Sequence, residues 1–206
     1  PDDRSIGYER GTSVSEEWLA AATTASVELA DYVMEHIEHL AHVKRDSPDR
    51  DEKLRQFATL FATRAFRRPL TDDIRALVID RPFADAPDLD TALKRSLLLA
   101  LESPRFLFHT EAAASPDAVG KDAGFATAAR LSFGLWDSIP DQPLWDAAAR
   151  NDLVTPEQVR KQAERMVNDR RTRAKVRDFL FTWLRVDQGP EIVKDKTHYS
   201  EFSPEM

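Results

Sequence analysis

The sequence predicts an all-α protein: a helical bundle, organised as one unit or as two packed helical subdomains. The chain of 206 residues contains only 6 Gly, whereas the helix-favouring residues Ala, Leu, Glu and Arg are plentiful. Apolar residues recur at helical spacing, and no strand alternation extends beyond a few residues. Helix-start signals punctuate the chain, and the strongest consists of Thr155, Pro156 and Gln158.

The first half of the chain should hold four helices. One follows the capping-box pair Ser13 and Glu16 and extends to about His42, and a second spans about 49–67. A short helix around 74–78 precedes a loop, RPFADAP, and Asp88 caps the fourth helix. The residues expected to face the core are Trp18, Ala22, Ala25, Leu29, Tyr32, Val33, His36, Leu40, Leu54, Phe57, Ala58, Phe61, Ala65, Leu89, Ala92, Leu93, Leu97 and Ala100.

A helical turn at Ser103 and Pro104 should bury Phe106, Leu107 and Phe108, and residues 112–124 have the composition of a linker. Helices are then predicted over 125–136, over LWDAAAR, after Thr155, and from Asn168 or Asp169 onward. The expected inward residues are Phe106, Leu107, Phe108, Phe125, Ala128, Ala129, Ser132, Leu135, Trp136, Val159, Ala163, Met166, Val176, Phe179, Leu180 and Trp183.

Composition narrows the function classes. The net charge of −7 disfavours a generic binder of nucleic acid or anionic membranes, although residues 154–185 carry nine Lys/Arg against four Asp/Glu. The chain has no Cys, which excludes disulfides, thiolate metal sites and covalent c-type haem attachment within it. No apolar run approaches the ~20 residues of a membrane helix. Because the chain opens on Pro1, we expect it to be processed or part of a longer protein.

The stretch FATRAFRRPLTDD gathers Arg64, Arg67 and Arg68 in front of Pro69. One interpretation is a corner between two helices, because proline disfavours helical geometry at the preceding residue and Thr71 can cap the next helix. Arg–Asp pairs with the following aspartates would then stitch the corner. The other interpretation is an anion-binding site formed by the three arginines.

Three further clusters are weaker candidates for chemistry. His36, His39 and His42 lie three residues apart on a predicted helix. They are interpreted either as metal ligands or as ordinary packing and surface residues. The group of Arg105, His109 and Glu111 is an acid–base pair or a structural ion-pair network. A third cluster, of turn aspartates, offers paired carboxylates or local backbone caps; it consists of Asp137, Asp141 and Asp146.

The run RRTRAKVR is the one concentrated basic stretch. It is either a solvated helix face or a surface for an acidic partner or polyanion, with nucleic acid disfavoured by the overall charge. Its cations are Arg170, Arg171, Arg173, Lys175 and Arg177. No phosphate-binding glycine loop, nucleophile elbow or zinc-ligand spacing occurs in the sequence.

Several ordered stretches resemble a known set of modules. FATRAFRRPLT is similar to the signature FARRAFRRPLT, LALESPRFLFHTE to LQSPRFLYRxE, and ARLSFGLWDSIPD to SRLSYFLWSSMPD with its arginine-rich downstream helix. The opening PDDRSIGYERGTSVSEEWLAAA resembles the end of a further module. These modules occur in a planctomycete-type family of exported, cytochrome-associated proteins of unknown function.

The resemblance implies an all-helical architecture in three segments: residues 1–46, 47–114 and 115–206. It also implies a longer parent protein in the periplasm or cell envelope, with a c-type haem elsewhere in the parent and no cofactor in this chain. The expected partners are the rest of that polypeptide or its neighbouring modules. The chain departs from the family by lacking a cysteine pair, and in having Phe108, His109 and Gly134 where Tyr, Arg and a bulky residue are usual.

Three functions are therefore predicted. The first is a non-catalytic helical scaffold or docking segment of a cytochrome-linked protein, with a role in electron transfer. The second is part of a redox or hydrolytic enzyme whose pocket, lined by Arg64, Arg67, His109 and Glu111, is completed by other modules. The third is polyanion binding through the basic run at 170–177.

Overall fold

The computed structural model describes residues 14–108, 121–184 and 198 of the chain. The described part is all-α, as predicted, and contains no strand. Its helices are α1 (Glu16–Glu35), α2 (Ile37–Leu40), α3 (Arg50–Ala65), α4 (Asp72–Arg75), a π-helical turn (Ala76–Asp80), α5 (Arg81–Asp85), α6 (Leu89–Leu101), α7 (Pro104–Leu107), α8 (Lys121–Trp136), α9 (Gln142–Ala149), α10 (Pro156–Val167) and α11 (Arg170–Trp183).

Two hydrophobic cores organise these helices. The first lies between α1, α3, α5 and α6, and its buried residues extend from Ala30 to Ala100. The second lies between α8, α9 and α10, and its buried residues extend from Phe125 to Met166. The three-segment division stays a prediction, but α1 and α3, which it assigns to different segments, share the first core.

Helix α6 is the centre of the first core and matches its prediction closely. Asp88 caps it by accepting a hydrogen bond from the Thr91 amide at 2.7 Å. Four of the five residues expected to face inward are fully buried, because they recur at helical spacing on the face that meets α3. These residues are Ala92, Leu93, Leu97 and Ala100.

Helix α1 corrects two expectations. Its N-cap is Ser15, and the predicted long helix is broken at His36, where the backbone leaves the helical region. Its buried residues are Ser26, Ala30 and Val33, so the predicted stripe is rotated and only Val33 of it is buried. The small side chains of the buried face let α1 pack closely on α6. Large predicted core residues are therefore exposed: Trp18, Leu29, Tyr32 and Leu40.

The prediction of a loop at RPFADAP is also wrong, because helix α5 lies within this stretch. Pro82 lies in the first turn of that helix, which continues directly from the π-helical turn that ends at Asp80. Pro82 and Phe83 are both buried, and their burial holds the segment against α6. After α7 the predicted burial of Phe108 fails, since this side chain is 41% exposed.

In the second half, α8 begins at Lys121, so the last residues of the predicted linker are helical. Gly124 is buried there because α9 approaches it closely: a Cβ at this position would lie 3.0 Å from the backbone oxygen of Ala148. The capping box of Thr155 and Gln158 is confirmed at the start of α10. The face predicted for α8 is confirmed by the burial of Phe125, Ala128, Ala129, Ser132 and Trp136.

Helix α11 contradicts the prediction that its apolar stripe is buried. Of the two predicted starts, Asn168 and Asp169, it is Asp169 that caps the helix, and the first turn of α11 packs on α8. Its apolar stripe, however, is open to solvent, and Trp183 is 65% exposed. The spacing of a stripe shows that a face is apolar, but not whether a neighbouring element covers it. The exposed members of the predicted stripe are Val176, Phe179, Leu180 and Trp183.

Candidate functional site

The arginine corner between α3 and α4 is the first candidate site. Helix α3 ends at Ala65, and Arg67 then adopts a left-handed backbone conformation with φ of 60°. Such a conformation is uncommon for a residue other than glycine. It turns the chain ahead of Pro69 and directs the Arg67 side chain into the protein, where the residue is only 3% exposed.

The Arg67 guanidinium acts as a backbone clamp. It donates to the carbonyl oxygens of Arg105 at 2.7 Å, Phe108 at 3.1 Å and Phe106 at 3.3 Å, and to that of Ala65 at 3.1 Å. Three of these carbonyls belong to α7 or the residue that follows it, whose carbonyls lack intrahelical donors. Arg67 therefore binds carbonyl groups at the end of a helix, where the helix dipole favours a cation.

Arg64 reaches the second half of the molecule. Its guanidinium donates to the side-chain oxygen of Gln142, and its Cζ lies 4.7 Å from the centre of the Trp145 ring. Gln142 in turn donates to Asp146 at 2.6 Å. Arg67 makes a parallel contact, with its Cζ 5.5 Å from the Phe133 ring centre. The two arginines thus join the corner to α8 and α9.

The corner prediction is therefore correct in its location but wrong in its predicted contacts. Arg64 and Arg67 bind a glutamine, aromatic faces and carbonyl groups rather than Asp72 and Asp73. Thr71 lies at the N-cap of α4, but its hydroxyl donates to Asp73 instead of capping the helix. Arg68 is partly exposed beside this network. A periodicity argument detects the turn, but it carries no signal for contacts 38 to 78 residues away in sequence.

The possible pocket residues His109 and Glu111 lie outside the described residues. Arg105, predicted to join them, is exposed on α7. A groove of about 790 Å³ adjoins the corner between α5 and α6, with Phe66 and Arg105 in its wall. Its remaining lining is largely apolar and includes Ile74, Leu77, Val78, Leu98 and Leu99.

The histidine cluster makes local contacts. The Nδ1 atom of His36 lies 2.8 Å from the carbonyl oxygen of Tyr32, and the two rings stack at 4.3 Å. His39 and His42 meet edge to face at 6.2 Å. Within residues 14–108 and 121–184, no group of three or more His, Asp or Glu side chains is arranged to hold a metal ion.

Each of the three turn aspartates has a structural partner. Asp137 pairs with Lys175, and Asp146 accepts from Gln142. Asp141 caps α9 through the Leu144 amide and also accepts two hydrogen bonds from Arg165, at 2.8 and 3.0 Å. Only Asp141 matches the local-cap interpretation, since Asp137 and Asp146 bind the side chains of Lys175 and Gln142 instead.

A cluster of contacts around Trp136, the Trp136 centre, was not predicted from the sequence. The Trp136 indole N–H lies 3.1 Å from both the Met166 carbonyl oxygen and the Thr172 hydroxyl. The Cζ of Arg171 lies 3.5 Å from the centre of its ring, and that of Arg165 lies 5.6 Å away. This arrangement fastens the start of α11 to α8. The only sequence signal for it is the pair Asp169 and Arg171, which are two residues apart.

The basic run is only partly available for a ligand. Arg171 is held by Asp169 at 2.8 Å and by Trp136, Lys175 pairs with Asp137, and Arg177 lies 5.0 Å from the centre of the Phe181 ring. The side chains of Arg170 and Arg173 are exposed.

The resolved carboxyl pKa shifts in the described part of the chain lie at helix starts. A hydrogen bond from the Arg171 side chain holds the pKa of Asp169 well below its usual value, and the side chain of Asp169 raises the pKa of Arg171. A hydrogen bond from Lys53 likewise lowers the pKa of Asp49, and one from the Thr71 hydroxyl lowers the pKa of Asp73. The pKa of Asp88 is lowered by a hydrogen bond from the Thr91 amide. Functional sites usually gather such groups in one cleft, whereas these are spread over four helices.

Comparisons with known proteins bear on the C-terminal part. No curated protein and no solved structure matches the chain. Residues 123–206, which include the Trp136 centre and α11, match a family described as a protein of unknown function, DUF1592. The part of the chain that holds α8 to α11 is thus similar to an uncharacterised domain family.

Proposed function

We propose that this chain is a non-catalytic helical scaffold and docking segment of a larger exported, cytochrome-linked protein, in which it supports electron transfer. The observation that carries the docking role is the open apolar face of α11. Its first turn is fastened to α8 through Trp136, whereas Val176, Phe179 and Trp183 remain exposed. A large exposed apolar patch on a folded protein usually marks an interaction surface.

The scaffold role rests on the contacts that Arg64 and Arg67 make within the fold. Arg67 is buried and bound to four carbonyl groups, and Arg64 is bound to Gln142 and Trp145. A substrate anion at this corner would have to displace contacts that hold α7 and α9 in place. This arrangement suits a rigid connection between helical units better than a binding pocket.

The cytochrome setting rests on the resemblance of the RAFRRPLT, SPRFLFH and LSFGLW stretches to exported, cytochrome-associated modules. The proposal places the chain in the periplasm or cell envelope. It locates the c-type haem elsewhere in the parent protein, because this chain has no Cys for covalent attachment. A visible absorption spectrum with a pyridine haemochrome assay on the purified parent tests the setting. A c-type signal supports it, and a haem-free parent contradicts it.

The anion-site alternative is tested separately by measuring thermal unfolding with increasing inorganic phosphate. A ligand that binds only the folded state raises stability in proportion to the logarithm of its concentration above the dissociation constant. For a scaffold, the wild type and an Arg64→Ala variant should respond equally to phosphate. A phosphate-dependent stabilisation that disappears in Arg64→Ala would replace the scaffold proposal with a binding site.

A further inference from the structure

The open face of α11 has a definite shape and charge. A groove of about 470 Å³ runs along it and is lined almost entirely by apolar groups together with Arg173 and Arg177. Beyond this groove the apolar surface continues over Phe179 and Trp183, whose rings stack at 6.0 Å. Helix α11 carries five Lys/Arg and one Asp between Arg170 and Trp183. It therefore offers an apolar surface bordered by positive charge.

Helix α1 carries an open apolar face of the opposite charge. Its exposed stripe alternates steps of four and three residues, the spacing of a coiled-coil seam, and includes small alanines that allow a second helix to approach closely. The stripe consists of Trp18, Ala22, Ala25, Leu29, Tyr32 and His36, which are exposed except for the half-buried Ala22. At one end of the stripe, the centre of the Trp18 ring lies 5.7 Å from that of Phe108. Residues 16–40 contain six Asp/Glu and no Lys or Arg. Glu28 and Glu35 are exposed along one edge of the stripe.

The two faces belong to one chain but do not cover each other. Helix α1 is packed on α6 through Ala30 and Val33, and α11 is packed on α8 through Thr172. Tyr32 on α1 is 56% exposed and Trp183 on α11 is 65% exposed, so each face is available to another molecule. Matching an acidic apolar seam with a basic one brings opposite charges together at the edges of an apolar contact.

We propose that the partner docked by these faces is a second copy of this chain, with α1 of one copy packed against α11 of the other. Two copies related by a two-fold axis would form this contact twice, because each copy supplies both faces. Burial of the apolar stripes favours association, and attraction between Glu28 or Glu35 and Arg173 or Arg177 selects the pairing. The inference rests on the proposed docking role and specifies its partner.

Charge reversal provides the test, with molecular mass measured by sedimentation equilibrium on the full chain. One variant carries Arg173→Glu and Arg177→Glu, so both of its faces are acidic. The other carries Glu28→Lys and Glu35→Lys, so both are basic. Each variant alone should associate at least about tenfold more weakly than wild type, because like charges then meet. An equimolar mixture should recover the dimer mass, since every α1–α11 contact again joins opposite charges.

Matched controls separate pairing from overall charge. A variant with Arg81→Glu and Lys161→Glu changes the net charge as much as the acidic variant does, but at exposed positions on α5 and α10, and should dimerise like wild type. Circular dichroism confirms that each variant is folded. A wild type that stays monomeric, or a mixture that fails to restore the dimer, overturns the second-copy proposal. If α11 nevertheless becomes protected within the parent protein, the docking role stands and only its partner is wrong.

Discussion

At the scale of single residues, Arg67 shows how one side chain can set a corner that proline alone does not explain. Pro69 ends the possibility of a continuous helix, but the direction of the turn comes from the left-handed backbone at Arg67 and from its four carbonyl acceptors. The sequence identifies the corner through Pro69 and the following aspartates. It does not identify the acceptors, because three of them lie on α7 or the residue that follows it, 38 to 41 residues downstream.

Removing the Arg67 side chain should be costly. We expect Arg67→Ala to lower the free energy of unfolding by about 2–4 kcal/mol, because four buried or partly buried carbonyl groups lose their donor. Arg67→Lys should recover only part of the loss, since an ammonium group lacks the planar fork of guanidinium. Urea unfolding measures both. Arg68→Ala is the matched control and should stay within about 0.5 kcal/mol of wild type; equal losses at the two positions would refute the clamp.

Two glycines in α8 should respond in opposite directions to alanine. A Cβ on Gly134 meets no atom within 4 Å, so Gly134→Ala should stabilise the helix by about 0.5–1 kcal/mol. A Cβ on Gly124 would lie 3.0 Å from the Ala148 backbone oxygen, so Gly124→Ala should destabilise by about 1–3 kcal/mol. Thermal unfolding of the two variants distinguishes these outcomes. Stabilisation by both would mean that α8 and α9 are not closely packed at Gly124.

At the scale of elements, helix starts were the most predictable features and buried faces the least. Ser103, Thr155 and Asp169 cap α7, α10 and α11 as the sequence suggested, because capping depends on neighbours within a few residues. Which apolar stripe becomes buried depends on other helices. In α1 the small residues Ser26 and Ala30 are covered, while the larger Trp18 and Leu29 are exposed.

The two tryptophans of α8 and α11 test this distinction. Trp136→Ala should destabilise by about 3–5 kcal/mol, because Trp136 is buried and its N–H is hydrogen-bonded to both Met166 and Thr172. Trp183→Ala should cost less than about 1 kcal/mol in the monomeric chain, since its side chain is largely exposed. Chemical denaturation at low protein concentration is the measurement. A large loss from Trp183→Ala would show that α11 is packed along its whole length.

The cap of α11 should make stability depend on pH in the acid range. The Arg171 side chain lowers the pKa of Asp169 in the folded protein from its usual 3.8, so the carboxylate stabilises the fold above that pH. As the pH falls below 3.8, the unfolded chain takes up the proton first and this stabilisation is lost. Asp169→Asn keeps a capping side chain without the charge. Urea unfolding across this range should therefore show the variant losing less stability than wild type on acidification; parallel curves would contradict the assigned role of Arg171.

At the scale of the whole molecule, the all-α class and most helices follow from composition and periodicity, whereas the connection between the two cores does not. Arg64 and Arg67 reach Trp145 and Phe133 across the boundary, and such long-range pairs leave no periodic signal. The polyanion prediction remains, but Arg171 and Lys175 are already paired within the fold. The exposed apolar faces of α1 and α11 are the features of this architecture that support a docking role.

Amide hydrogen exchange tests that docking role most directly. It should be measured on the dilute chain alone and on the longer parent protein that the proposal requires. In the chain alone, we expect slow exchange in α6, whose face is buried in the first core, and fast exchange in the second half of α11. In the parent, the second half of α11 should become protected while α6 is unchanged. Equally fast exchange of α11 in both proteins would contradict the account, because its apolar face would then dock nothing.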